Sequence, residues 1–185
     1  MSFINSSTQH LKPSATLLIN QKINKLRAVS APIQYAAIEA FKFKKEVKNS
    51  VDDSKTILHT LGNYVHQTLT QANINCTSPQ GGFYILVDFN FYKDQLSKLD
   101  LKDSVSLADH LLEHYGVVLL PGVDFYFSPN EFIFRLAYVD FNGKTALDEY
   151  QKNKNIPLDL KFIKTFAPNI FNGVQIIIDF VNSLK

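Results

Sequence analysis

The sequence contains no tryptophan, and its only cysteine is Cys76. One thiol cannot form an internal disulfide, so no covalent crosslink holds the fold. A reducing compartment fits this, and a cytoplasmic location is expected. Long apolar runs are also missing. The richest, residues 174–181, is broken by Gln175 and Asp179, well short of the ~20 apolar residues that a spanning helix needs. Residues 1–7 show no basic segment leading into an apolar one, so no signal peptide is expected. An excess of either charge is lacking too: 19 Lys plus Arg against 17 Asp plus Glu leave +2. That is too little to point to a nucleic acid or an anionic membrane as partner. The basic cluster Lys42, Lys44, Lys45 and Lys48 reads as a solvated helix face.

What the chain has in quantity is phenyl rings: 15 Phe and 8 Tyr among 185 residues. This length suggests one domain, or one and a small piece. A folded chain of this size buries roughly 70% of the surface its unfolded form exposes, so a core needs no disulfide or metal.

The hydrophobic period changes once along the chain. Residues 14–26 read as a helix, with Leu17, Leu18, Ile23 and Leu26 on one face. Pro32 then opens a long helix over 32–49, with Ile33, Ala36, Ala37, Ala40, Phe41 and Val47 as its stripe. Asp52 or Asp53 is expected to cap a further helix reaching about Asn73. Gly62 lies inside that helix at a cost of ~1 kcal/mol relative to alanine. Pro79-Gln80-Gly81-Gly82 is a turn signal. After it, residues 83–89 read as a strand, apolar enough to be buried on both faces. Ser104 is expected to cap a helix to Tyr115, with Val105, Ala108, Leu111 and Leu112 inward and Gly116 ending it. Residues 117–120 read as a short strand stopped by Pro121-Gly122, and 132–139 as the last strand. Residues 144–150 and 169–184 read as helices. The order implies a long leading helix and an α/β part with helices on a small sheet.

Arg135 is the residue with chemical content. It sits in an apolar strand among Phe132, Phe134, Leu136 and Tyr138, where a guanidinium is costly to bury without an anion. From the strand alone, the partner is either an internal carboxylate, Asp88 or Asp140, or an external anion. Three segments stand around it in order: Val29-Ser-Ala-Pro-Ile-Gln-Tyr-Ala-Ala-Ile-Glu-Ala-Phe41, Pro79-Gln-Gly-Gly-Phe-Tyr-Ile-Leu-Val-Asp-Phe89, and His114-Tyr-Gly-Val-Val-Leu-Leu-Pro-Gly122 followed by Phe132-Ile-Phe-Arg-Leu-Ala-Tyr-Val139. This succession resembles the C-terminal portion of the class I/II pyridoxal-phosphate-dependent aminotransferases, of the aspartate aminotransferase type and fold type I. The likeness runs from residue 14 to about 150.

The resemblance implies an α/β fold whose small domain is α+β-like, with a long leading helix and a small, mostly antiparallel sheet covered by helices. It implies a division into 1–49, an N-terminal segment with the interdomain helix, and 50–185, the small C-terminal domain. It implies that Arg135 grips the α-carboxylate of an amino-acid or 2-oxo-acid substrate, a task that suits a planar, permanently charged fork. The cofactor of the complete enzyme is then pyridoxal 5'-phosphate, held through a Schiff-base lysine upstream of the long helix. No lysine of this chain matches that one; Ser54-Lys55 and Ser97-Lys98 lie after the helix. The chain alone is therefore expected to bind no cofactor and to be inactive, the alternative being a non-catalytic binding or interaction module derived from the small domain. Self-association, as a homo-oligomer, is expected through the faces bearing Leu17, Leu18, Ile33 and Phe41.

Other signals are weaker. His110 and His114 have a spacing that can bind zinc, but no third ligand accompanies them. His59 and His66 read as polar surface. Asp88 reads as a strand-end cap or a partner for Arg135. Cys76 reads as a small buried hydrophobe. The rings around 125–127 either line a substrate mouth or fill the core.

Overall fold

The computed structural model describes residues 31–42 and 44–184; the helix expected over 14–26 lies outside them. Two helices lead. α1 spans Ala31–Ala40 and α2 spans Lys45–Gln71. The expected boundary near residues 49–52 is thus misplaced. Neither Pro nor Gly occurs between 45 and 61, so nothing in the backbone stops the helix there. Asp52 pairs with Lys48 one turn earlier instead of capping. Asp53 accepts from Gln151 at 3.1 Å and from the Lys154 ammonium. The Lys154 ammonium is the main reason its carboxyl is held below the usual range. The real break is the turn before Lys44, whose backbone is extended (φ −55°, ψ 153°) and has no side-chain cap. The basic cluster is solvent-exposed as expected, with Lys42 and Lys44 both paired to Glu39.

α2 is 27 residues long. Ile57, Leu61, Val65 and Leu69 recur every four residues on its buried side, and burying each contributes ~1.5–3 kcal/mol. The helix ends where Asn73 turns left-handed (φ 58°) and Ile74 N–H bonds back to the Leu69 carbonyl, an asparagine in the usual glycine role. By contrast α1 is almost wholly exposed: Ile33, Tyr35 and Ile38 are 59%, 72% and 56% accessible.

The sheet has four strands in the order β1-β2-β4-β3, every neighbouring pair antiparallel. β1 is Asn75–Cys76, β2 Tyr84–Asp88, β3 Leu120–Pro121 and β4 Ile133–Ala137. β2 and β4 form its centre, with Ile85 opposite Leu136 and Val87 opposite Phe134. Those four face the core. Residues 83–89 are therefore not buried on both faces. The intervening Tyr84 is 42% exposed and Leu86 half-buried. β3 includes Pro121 rather than stopping before it; as an edge strand it tolerates the missing N–H.

Further helices cover the inner face. α3 is Lys93–Lys98, α4 Ser104–Tyr115, α5 Gly143–Lys152, α6 Leu160–Phe166 and α7 Pro168–Ser183. α2 packs against α5, α7, β1 and β2. α4 is capped by Asp103, not Ser104: its carboxylate accepts from Ser106 N–H and the Ser106 hydroxyl accepts from Asp103 N–H. The inward face also differs from the expected stripe: Leu107 is buried while Val105 and Leu112 are exposed. Gly116 ends α4 at φ 67°. The core is ringed with phenyl groups, among them Phe89 and Phe134, edge to face at 5.5 Å. The Tyr92 hydroxyl donates to the Ala72 carbonyl at 2.6 Å, which satisfies one end group of α2.

Gly62 is explained by this packing. A Cβ there would stand 3.0 Å from both Pro79 Cβ and the Tyr138 ring, and Tyr138 is 2% exposed. We expect Gly62→Ala to destabilise the chain by about 1–3 kcal/mol through overpacking, despite its better helix propensity. Urea denaturation measures this; an increase in stability would show that Tyr138 yields freely.

Candidate functional site

β4 alternates. Phe134 and Leu136 enter the core, so Ile133, Arg135 and Ala137 stand on the other face of the sheet. On that face Arg135 lies between Leu86 of β2 and Leu120 of β3. Its guanidinium is flanked by two aromatic rings. Cζ lies 4.4 Å from the Tyr84 centroid and 4.4 Å from the Phe125 centroid.

The rings arrive by different routes. Tyr84 opposes Ala137, which places it diagonally from Arg135, within reach for a long side chain. Phe125 closes a 3-10 turn over Gly122–Phe125. That turn lies hard against β4: a Cβ on Gly122 would come within 2.6 Å of the Ile133 carbonyl oxygen. Only glycine fits this approach.

Arg135 is half-buried, and its Nε is sealed from solvent with no hydrogen-bond partner. Among the described residues no carboxylate pairs with it. Asp88 is otherwise engaged, its Oδ1 accepting from the Asn90 N–H and Nδ2, each at 2.7 Å. It is a strand-end cap. The internal ion pair with Asp88 or Asp140 is thus not formed. Such a guanidinium can receive a planar anion, offering charge and N–H donors together.

A cleft of about 470 Å³ lies between residues 116–120, the end of β4 and Ile170, Val174 and Ile177 of α7; Arg135 is among its lining residues, but the Tyr84 and Phe125 rings that flank the guanidinium are not. A second, of about 330 Å³, lies between α2 and the 79–82 turn, lined by Ser54, Lys55, His59 and Tyr138. Lys55 lines the second cleft and Arg135 the first, so they do not share a site.

The remaining candidates take structural roles. The His110 and His114 rings lie tilted against each other at 50° with centroids 4.6 Å apart, and His110 also contacts Tyr115 and Phe180. Burial, then the neighbouring His114, pulls the His110 pKa down. No group of three or more metal-ligating side chains converges among the described residues. His59 is exposed as expected, whereas His66 is half-buried with an unpartnered Nδ1. Phe125, left open between mouth and core, belongs to the Arg135 site. Its only sequence signal was an aromatic a few residues past Pro121-Gly122.

A family model described as aminotransferase class I and II matches residues 13–141. Among solved structures, the chain is similar to an aromatic aminotransferase from Pyrococcus horikoshii OT3 with a TM-score of 0.54 at 17% identity. That match covers 82% of this chain and 31% of the other. An aspartate aminotransferase from Thermotoga maritima matches with a TM-score of 0.48 at 18% identity, over 91% of this chain and 33% of the other. The chain spans about a third of the length of these two proteins. The first likeness, at this identity, is one of fold.

Cys76 donates to the Ile74 carbonyl at 3.3 Å, and burial pushes its thiol up to about 12. A thiol held protonated is a poor nucleophile. We expect iodoacetamide at about pH 7.5 to alkylate the folded chain at least tenfold more slowly than the urea-unfolded chain. Equal rates by mass spectrometry would contradict the burial of this thiol.

Proposed function

The chain belongs to the class I and II aminotransferases, and from that premise we propose that it supplies the substrate-carboxylate side of an aminotransferase site, with Arg135 receiving the α-carboxylate of an amino acid or 2-oxo acid. The observation that carries this reading is the half-buried guanidinium with a sealed, unpartnered Nε and no carboxylate partner among the described residues. A buried donor left without an acceptor costs ~1–3 kcal/mol. A carboxylate meeting the guanidinium's other, solvent-reachable N–H groups forms a charge-assisted pair, which offsets that cost. The role of Arg135 is orientation: it holds one end of the substrate so that the Cα presents its proton and amino group in a set direction.

The family is pyridoxal-phosphate-dependent. The described residues fit a carboxylate and do not fit that cofactor. Among them no lysine lines the pocket to which Arg135 contributes. Among the described residues, the lysines with displaced pKa values, Lys48 and Lys102, are pushed up by Asp52 and Asp100, the reverse of what an amine nucleophile needs. In this reading residues 1–49 bridge to a cofactor-bearing part and 50–185 form the small domain. The chain alone is then inactive.

Titrating the ¹⁵N-labelled chain with acetate or L-alanine tests the role of Arg135. A saturable shift of the Arg135 Nε–H resonance is expected. Arg135→Leu should abolish binding, and Arg135→Lys should weaken it about tenfold or more, the worth of one charge-assisted hydrogen bond. Binding by Arg135→Leu equal to wild type would sink the proposal. A separate check adds pyridoxal phosphate, an amino acid and a 2-oxo acid to the wild-type chain: no amino transfer and no lysine-dependent cofactor retention are expected. Amino transfer, or lysine-dependent retention of the cofactor, would overturn the assignment of inactivity.

A further inference from the structure

The two rings at Arg135 do more than fill space. Their centroids are both 4.4 Å from Cζ, within the range where a cation over a ring face is attracted. A free arginine samples many rotamers, and that freedom is lost when it binds an anion. A guanidinium already held by two ring faces has lost it beforehand, so binding costs less. Tyr84 is placed by the central ladder of the sheet. Phe125 is placed by a turn that reaches β4 only because residue 122 has no side chain. The turn ends at Tyr126, a non-glycine residue at φ 69°, a conformation that is uncommon for such residues and persists where the surroundings impose it.

We propose that Phe125 is a positioning residue for carboxylate recognition: with Tyr84 it holds the Arg135 guanidinium in one orientation, so that its solvent-reachable donors are set for a carboxylate. This rests on Arg135 being the carboxylate-binding group and adds the part that sets its geometry. Phe125 itself touches the arginine, and the sheet keeps its register whichever side chain stands at 125. Phe125 is half-buried, so replacing it leaves the core of Phe89, Phe132 and Phe134 intact.

The test uses the full ¹⁵N-labelled chain, acetate as the probe and four forms: wild type, Arg135→Lys, Phe125→Leu and Phe125→Tyr. The Arg135 Nε–H peak is assigned by its loss in Arg135→Lys. In the wild type it should lie displaced by the ring currents. In Phe125→Leu it should move toward the free-arginine position, and acetate affinity should fall about two- to fivefold, the range of one cation–π contact. Phe125→Tyr restores a ring face and should recover both readouts, which a general loss of stability would not predict. If Phe125→Leu does not fold, Phe125→Met covers the same space without a ring and takes its place. Acetate binding lost in Arg135→Lys but unchanged in Phe125→Leu, with the peak unmoved, overturns the positioning role alone. Equal acetate binding by wild type and Arg135→Lys overturns the carboxylate reading, and the positioning role with it.

Discussion

The antiparallel pairing of β2 with β4 is the constraint from which the rest follows. Side chains alternate along a strand with period two, so one register assigns every residue to a face. With Val87 opposite Phe134 and Ile85 opposite Leu136, four apolar side chains enter the core together. The same register obliges Arg135 to stand on the other face, with Leu86 across from it and Tyr84 on the diagonal. A slip of one residue would put the guanidinium into the phenyl core and two aromatic or aliphatic residues into water. The core and the site are therefore specified by one set of hydrogen bonds.

Two glycines translate that sheet into a site and a scaffold. Gly122 lets a turn approach the β4 backbone, and Phe125 comes with it. Gly62 lets Tyr138 and Pro79 approach the α2 backbone, which ties the far end of the 132–139 segment to the longest helix. Rings fill the space in both places. A chain with no possible disulfide gains its rigidity from such contacts, and interiors packed this closely transmit small displacements.

Much of this was legible beforehand where a local signal existed. The 79–82 turn, the left-handed end of α4 at Gly116 and the approximate extents of β2, β4 and α7 follow from residue types with one strong preference. Errors arose where several residues could serve equally. Asp52, Asp53, Asp103 and Ser104 are all good caps in principle; the first two fall inside α2 and pair with Lys48 and Lys154 instead of capping, and a reciprocal bond with Ser106 decided the second pair for Asp103. The break before Lys44 has no cap at all, so nothing local announced it. α3 and α6, of six and seven residues, are too short for periodicity to register.

The sequence by itself determined that a permanently charged group sits in an apolar strand, and that the segments around it resemble those of a known family. Both are statements about order along the chain, and period and composition carry them. Only the tertiary structure decided which face Arg135 occupies, that Asp88 is bound to Asn90 instead of to it, and that Phe125 covers it. Phe125 and Arg135 are ten positions apart, and Tyr84 is further still. Their meeting depends on strand pairing and on a glycine without a Cβ, and neither is a property that one residue carries alone.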